Sequence, residues 1–355
     1  MITELKISNF KQLKNIELNN ITQISIIGGK NNTGKTTLLE ALFMFYDRAN
    51  PEVTIRPFRW RGVDQIDMSP SGIWAPIFYA YDMSKPINIA VKKEGNICEK
   101  LNISHNEKFD GVVKVNPSEQ NIQQTQTTLK RHQTESLDFE YLEGCEYVGK
   151  SHCIIDGPQI SIHLEDTITS KYNVTYVSSG IQRNPNEDAV RFGKIDIAGR
   201  VDEVVSSLRM IEPRLKSLST IAHGNQSLIY GDIGIGRKIP LSFMGEGTAK
   251  MLSIILAIVT NDKGLVLIDE LENGIHHSVH SKLWNLLETL SLRYNCQIIA
   301  TTHSYEILKS LKDSTNNKKE IFSYFRLSNS EGDISANHYN VDTLFAAIES
   351  ELEIR

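Results

Sequence analysis

Ile24-Ser25-Ile26-Ile27-Gly28-Gly29-Lys30-Asn31-Asn32-Thr33-Gly34-Lys35-Thr36-Thr37-Leu38-Leu39 decides how this 355-residue chain is read. The first part belongs to a β-branched run, Ile21–Ile27, that ends in two glycines, the pattern of a buried strand. The last part opens a helix over Thr36–Phe45, with Leu38, Leu39, Leu42 and Phe45 at helical spacing. Between them Gly29 to Thr36 spells GxxxxGK[ST]. Glycines let the backbone curl until successive N–H groups point at one anion, and the next helix offers its positive end to the same charge. Lys35 is placed to neutralise β/γ-phosphate charge, and the Thr36 hydroxyl to hold Mg²⁺. The expected phosphate-binding set is Gly29, Asn31, Asn32, Thr33, Gly34, Lys35, Thr36 and Thr37.

A second chemical signal lies far along the chain. Leu265-Val266-Leu267-Ile268-Asp269-Glu270 is an apolar strand that delivers two acids to its end, the Walker B arrangement. Asp269 is expected to hold Mg²⁺ and Glu270 to orient or deprotonate the attacking water. Lys35 and Asp269 are 234 residues apart, yet both must meet one nucleotide. This predicts one discontinuous α/β head with a long insertion.

The texture between them supports that division. Residues 2–8 and 16–18 read as short strands. From about Ala49 to Val177, Pro, Gly, Asn and aromatics punctuate alternating runs such as Ile87–Val91, Ile154–Leu164 and Asn173–Val177, a mainly antiparallel β region. Asn116–Gln133, rich in Gln, Thr and Asn, reads as a loop or a poorly packed helix. Ile197–Leu218 reads as helical, with an apolar stripe over Val201–Ile211 and a break at Pro213. The last third alternates helix and strand: Gly247–Thr260, Gly264–Ile268, Ser278–Leu292, Gln297–Ala300, Tyr305–Leu311 and Ile321–Leu327. The expected units are 1–48, the first half of the head; 49–195, a mainly β lobe; 196–222, a helical segment; and 223–355, the second half of the head.

Composition narrows the classes. Apolar residues are 40% and charged residues 23%, which excludes wholesale disorder. The net charge of −5 argues against coating nucleic acid by bulk charge. Cys98, Cys145, Cys153 and Cys296 are scattered without a CxxC pair and read as reduced thiols. The longest apolar stretch, Met251–Val259, is too short for a membrane span, and MITELKISNF lacks a signal-peptide core. A cytoplasmic protein with no membrane partner is expected.

Three further pieces carry a family resemblance. Leu241-Ser242-Phe243-Met244-Gly245-Glu246-Gly247 precedes a helix and resembles the signature motif of ABC-type ATPases of the SMC, RecF and OLD group. Thr301-Thr302-His303-Ser304 resembles the family's switch histidine, and Ile7-Ser8-Asn9-Phe10-Lys11 the start of that group. The tail from Tyr339 to Arg355 is similar to the ends of bacterial AAA_15/AAA_21-type ATPases. The resemblance implies a P-loop head with a mainly parallel core sheet, an antiparallel β subdomain and a helical insertion. It implies a homodimer or higher oligomer closing around ATP and Mg²⁺. Ser242 and Gly245 would contact the γ-phosphate of the partner's nucleotide, with Gly247 the alternative to Gly245. His303 would sense the same phosphate, and Glu270, Lys35 and His303 form the expected catalytic set.

Weaker signals surround these. Glu272-Asn273-Gly274-Ile275-His276-His277 corresponds to the family's D-loop, and His276 is a candidate partner contact. His276, His277 and His280 also invite a metal reading, set against solvated or interface histidines. Gln65 is the candidate Q-loop glutamine, and Arg183 a candidate phosphate or partner contact. TOPRIM nucleases of the OLD type need a DxD pair, and no two aspartates here are spaced i,i+2. The chain therefore reads as the ATPase half of a two-component system, similar to PARIS-type subunits of anti-phage defence, with a separate nuclease or toxin effector. The alternative is a RecF/SMC-like DNA-clamping ATPase of repair or chromosome maintenance, whose basic contacts would be Lys92-Lys93, Lys130-Arg131 and Lys318-Lys319. A transporter ATPase fits the large β-rich middle poorly.

Overall fold

The chain opens with strands β1 (Ile2–Phe10), β2 (Leu13–Asn19) and β3 (Ile24–Gly29) and helix α1 (Lys35–Tyr46). Strands β4 (Ile87–Lys93), β5 (Cys98–Lys114), β6 (Leu129–Glu143), β7 (Glu146–Asp156), β8 (Gln159–Leu164) and β9 (Val174–Val177) follow. Helices α2 (Pro185–Ile197) and α3 (Val201–Arg209) lead to β10 (Ser217–His223), β11 (Gln226–Asp232) and β12 (Ile239–Pro240). Then come α4 (Glu246–Val259), β13 (Leu265–Ile268), α5 (His280–Arg293), β14 (Gln297–Thr301) and α6 (Tyr305–Ser314). The hairpin β15 (Phe322–Ser330) and β16 (Asp333–Asn340) and helix α7 (Val341–Glu349) complete it. The computed structural model describes residues 1–355 except 48–53, 55, 57–66, 68, 115–128, 157–158, 165–172, 180–184, 225, 315–318 and 355. For 110–114, 129–133, 156 and 159–164 only the backbone is described.

The core sheet has the order β16-β15-β3-β14-β13-β9. Its strands are parallel except for the edge strand β16. Both faces of a parallel sheet are covered, so β3, β13 and β14 are apolar or buried along their whole length. Alternate residues go to opposite cores. Ile24, Ile26, Val266, Ile268, Ile298 and Ala300 pack with the helices of the second half. Ile27, Leu265, Leu267 and Ile299 pack with α1 and the first strands of the chain.

The other large sheet is antiparallel, ordered β2-β1-β4-β5-β6-β7-β8. The opening strands thus join the strands of the long middle segment, while β9 leaves that segment and extends the parallel sheet. Helix α1 lies between the two sheets, and every residue in it except Thr36 is buried. An all-round apolar helix is the one suited to that position. Gln297 links the sheets: its amide nitrogen donates to Ile2 O and Thr22 O at 2.8 and 2.9 Å, and its oxygen accepts from Ile2 N at 2.8 Å.

The structure corrects several local expectations. Within 49–195, read as mainly β, Pro185–Ile197 is a helix burying Ala189, Phe192 and Ile195 that the sequence reading did not mark. The helix expected from Ile197 ends there instead. Gly199 is left-handed (φ 67°), and Arg200 N donates to Ile195 O, closing α2 as a Schellman-type cap. The apolar stripe forms α3 but stops at Arg209, and Ser217 onward is strand. The strands β10-β11-β12 form a separate antiparallel sheet that periodicity did not disclose. Of Asn116–Gln133, residues 116–128 lie outside the described set and 129–133 belong to β6.

All four cysteines are free thiols, and burial pushes Cys153 and Cys296 up to about 12. Among the described residues no helix is long and apolar enough to cross a membrane. Gln297→Leu keeps the volume but strips Ile2 and Thr22 of their partners. Each buried group left unpaired costs about 1–3 kcal/mol. Its stability, read from urea unfolding, should fall by about 3 kcal/mol or more for the three bonds lost.

Candidate active site

The site forms where β3, β14 and β13 end side by side. The loop after β3 reaches α1 through Gly34, whose φ of 89° a side chain would strain. Lys35 stands at the start of α1, with its Nζ 2.7 Å from both Gly29 O and Lys30 O. Thr36 Oγ1 donates to the carboxylate of Asp269 at the end of β13, 3.0 Å from Oδ1 and 3.2 Å from Oδ2. From the middle strand, Thr301 Oγ1 donates to Asp269 Oδ1 at 2.7 Å and accepts from Glu270 N at 2.8 Å. Glu270 has a φ of 46°, an unfavourable region for a side-chain-bearing residue and common where a site holds the backbone under strain.

These residues border a cleft of about 510 Å³ lined by Asn31 to Thr37, Glu40, Asp269 and Glu270. Gln12, Tyr176, Ser178 and Ser179 also line it. Lys11 Nζ meets Glu40 Oε2 at 2.7 Å and holds the β1–β2 turn against α1 at the rim. The donor set suits a magnesium triphosphate. Hard oxygens of Thr36 and Asp269 converge within hydrogen-bond distance, and a lysine at a helix start faces the same space. Burial holds the Lys35 ammonium below the ordinary lysine range, against the raising effect of Asp269, Glu270 and Glu272.

The signature residues are set apart from this cleft. Leu241–Met244 forms a 3₁₀ turn, and Gly245 (φ 115°) precedes α4. Ser242 borders a separate hollow with Ala249 and Ser253, and Phe243 is 81% exposed. Gly245 and Gly247 differ in surroundings. A Cβ on Gly245 would meet nothing within 4 Å, whereas one on Gly247 would lie 2.5 Å from Gly274 O. Gly247 therefore packs α4 onto the 272–277 turn, and Gly245 is the open glycine. His303 is exposed beyond β14, with Nδ1 3.0 Å from Glu272 Oε1. Ser242, Gly245, Gly247 and His303 do not line the cleft that holds Lys35 and Asp269.

Other positions fall outside this constellation. His276 Nδ1 meets Ser278 Oγ at 2.9 Å. His280 is buried against Ile275 O, and burial lowers its pKa. No group of three metal-ligating side chains occurs among the described residues. Gln65 and Arg183 lie outside the described residues.

Sequence reading missed Thr301, although it precedes His303 by two positions. It also missed Gln12, next to Lys11 in the opening motif. Lys250 had no sequence signal: from α4 its buried Nζ donates to Ser178 O at 2.9 Å and Asp269 O at 3.0 Å. The helix that follows the signature is thereby tied to the turn that carries the acids.

This fold and this site define a nucleotide-binding ABC-type ATPase head. Residues 1–156 match the model of an AAA ATPase domain, and 159–309 that of an AAA domain described as putative AbiEii toxin, Type IV TA system. Each model covers a little under half of the chain, and together they make it similar to ATPases over most of its length. It is 26% identical over 337 residues to an ATP/GTP phosphatase of Helicobacter pylori, covering 88% of this chain and 87% of that one. It is 22% identical over 314 residues to the Septu protein PtuA of Bacillus thuringiensis, covering 87% of this chain and 73% of that one. Among solved structures, an Smc head bound to the C-winged helix domain of ScpA shares the fold, with a TM-score of 0.51 and 11% identity. The match covers 97% of this chain and 99% of that one.

Lys35 gives the site a pH signature. Its folded pKa is depressed, so between that value and the 10.5 of an unperturbed lysine the unfolded chain binds more protons. Stability therefore gains from this group as pH rises through that window. Nucleotide-free Lys35→Met should lose that gain, and its urea midpoints should rise less, or fall faster, with pH than those of the wild type.

Proposed function

We propose that this protein hydrolyses ATP as a dimer closed around two nucleotides and so controls a separate effector, a nuclease or toxin, in anti-phage defence. The observation that carries the hydrolytic part is the junction of Thr36, Asp269 and Thr301 beside Lys35 and Glu270. The loop N–H groups and Lys35 receive the phosphates, Lys35 exchanging the carbonyls of Gly29 and Lys30 for phosphate oxygens. Thr36 and Asp269 would hold Mg²⁺, which when bound would supply neutralisation of the phosphate charge. Glu270 takes the proton of the attacking water. Thr301 keeps Asp269 oriented while fixing the backbone of Glu270.

Dimerisation is supported by the separation of Ser242 and Gly245 from the chain's own cleft. An open glycine at the start of a fourteen-residue helix is suited to an anion supplied from outside. The defence reading is supported by the similarity to PtuA across most of both chains. The DNA-clamping reading loses ground at Lys92, Lys93 and Lys319. Lys92 pairs with Glu4, buried Lys93 with Glu99, and Lys319 with Asp342. The side chains of Lys130 and Arg131, and all of Lys318, lie outside the described residues.

Glu270→Gln should lower ATP turnover about 100-fold or more and accumulate an ATP-bound dimer, seen by light scattering with ATP. Unchanged turnover removes Glu270 from the role of base. Salt-dependent duplex binding in the ATP state would favour the DNA clamp over effector control. Thr301→Val should cost about 10- to 100-fold in activity and raise the Mg²⁺ concentration for half-maximal rate. The unfolding midpoint checks that the variant remains folded.

A further inference from the structure

The turn after β13 and the turn after β14 are fastened at three successive positions. Glu270 N donates to Thr301 Oγ1 at 2.8 Å, and Leu271 N to Thr301 O at 2.9 Å. At the third, the direction of donation reverses: Glu272 Oε1 accepts from His303 N at 2.8 Å and lies 3.0 Å from His303 Nδ1. The opposite side of the turn is held as well, because Asn273 Nδ2 donates to Ser179 O at 2.7 Å. The Glu272 side chain is 10% exposed, whereas that of His303 is 49% exposed. The carboxylate is thus the fixed partner and the ring the accessible one.

We propose that Glu272 is the positioning residue of His303: its Oε1 holds both the backbone N–H and Nδ1–H, leaving Nε2 as the ring's working nitrogen. The proposal rests on the reading of His303 as the residue that meets the γ-phosphate. An ionised carboxylate only accepts, so the nitrogen facing it carries the proton. A phosphate oxygen also only accepts, so Nε2 must carry a second proton, taken from solvent, when the two meet. Glu272 is then the counter-charge of the imidazolium. The other oxygen of the same carboxylate, Oε2, is buried and has no hydrogen-bond partner among the described residues. Oε1 is therefore the oxygen through which the carboxylate is held, and its contacts are with His303.

The test uses the full-length chain labelled with ¹⁵N-histidine, the His303 ring being assigned by its loss in His303→Asn. In the wild type without nucleotide, the ring should be the Nδ1–H tautomer. Glu272→Gln retains an accepting oxygen and should keep that tautomer, whereas Glu272→Ala should shift it towards Nε2–H. Glu272→Asp keeps the charge but withdraws the oxygen by one methylene. It should lose the tautomer too, and it serves if the alanine variant does not fold. An unchanged His303 ring in both the Ala and Asp variants overturns the proposal. Turnover gives the second readout. Glu272→Ala should lower kcat about 10- to 100-fold with KM for ATP nearly unchanged, and adding His303→Ala should cost nothing more. Losses that multiply overturn it. A wild type that does not hydrolyse ATP defeats the functional reading of the site, while the tautomer measurement still decides the role of Glu272.

Discussion

Everything in this molecule depends on one carboxylate reached by two threonine hydroxyls. Asp269 ends β13, Thr301 ends β14, and Thr36 opens the helix that follows β3. These strands are adjacent in the order β3-β14-β13, so β13 and β3 lie about 10 Å apart across the middle strand. A short aspartate does not span that gap along the sheet. It meets Thr36 because the loop after β3 carries the first turn of α1 back over the strand ends. Residues 233 positions apart are closed into one contact, and the intervening chain must leave and return without disturbing it. That constraint accounts for a discontinuous head with a large excursion, and for β9 returning to pair with β13.

Legibility in the sequence followed how local each determinant was. β3, α1, β13 and the acids after β13 were readable because strand, loop and charge are contiguous there. The signature turn was readable as a position, but the different surroundings of Gly245 and Gly247 were not. The carbonyl of Gly274, which packs against Gly247 and leaves Gly245 open, comes from another turn. Helix α2 carried signals that were passed over. Pro185 stands at its first position, Glu187 and Asp188 in its first turn and Lys194 in its last. The strands β10 and β11 were missed because exposed and half-buried residues dominate them, so the alternation that marks a strand is weak. Lys250 and Glu272 act through backbone atoms of other segments, which no spacing rule reports.

The two relatives described above each match close to nine-tenths of this chain. The antiparallel sheet is built jointly by the opening strands and the middle segment.

That joint construction bears on how the molecule moves. Helix α1 has no water-facing side on which to slide, being enclosed by a sheet above and a sheet below. The phosphate loop is therefore anchored at its far end by a helix enclosed on both faces, while Lys30, Asn31 and Asn32 stay exposed. On the other face of the parallel sheet, α4 and the small β10-β11-β12 sheet flank the signature turn. Lys250 is the rivet that joins that face to the acids.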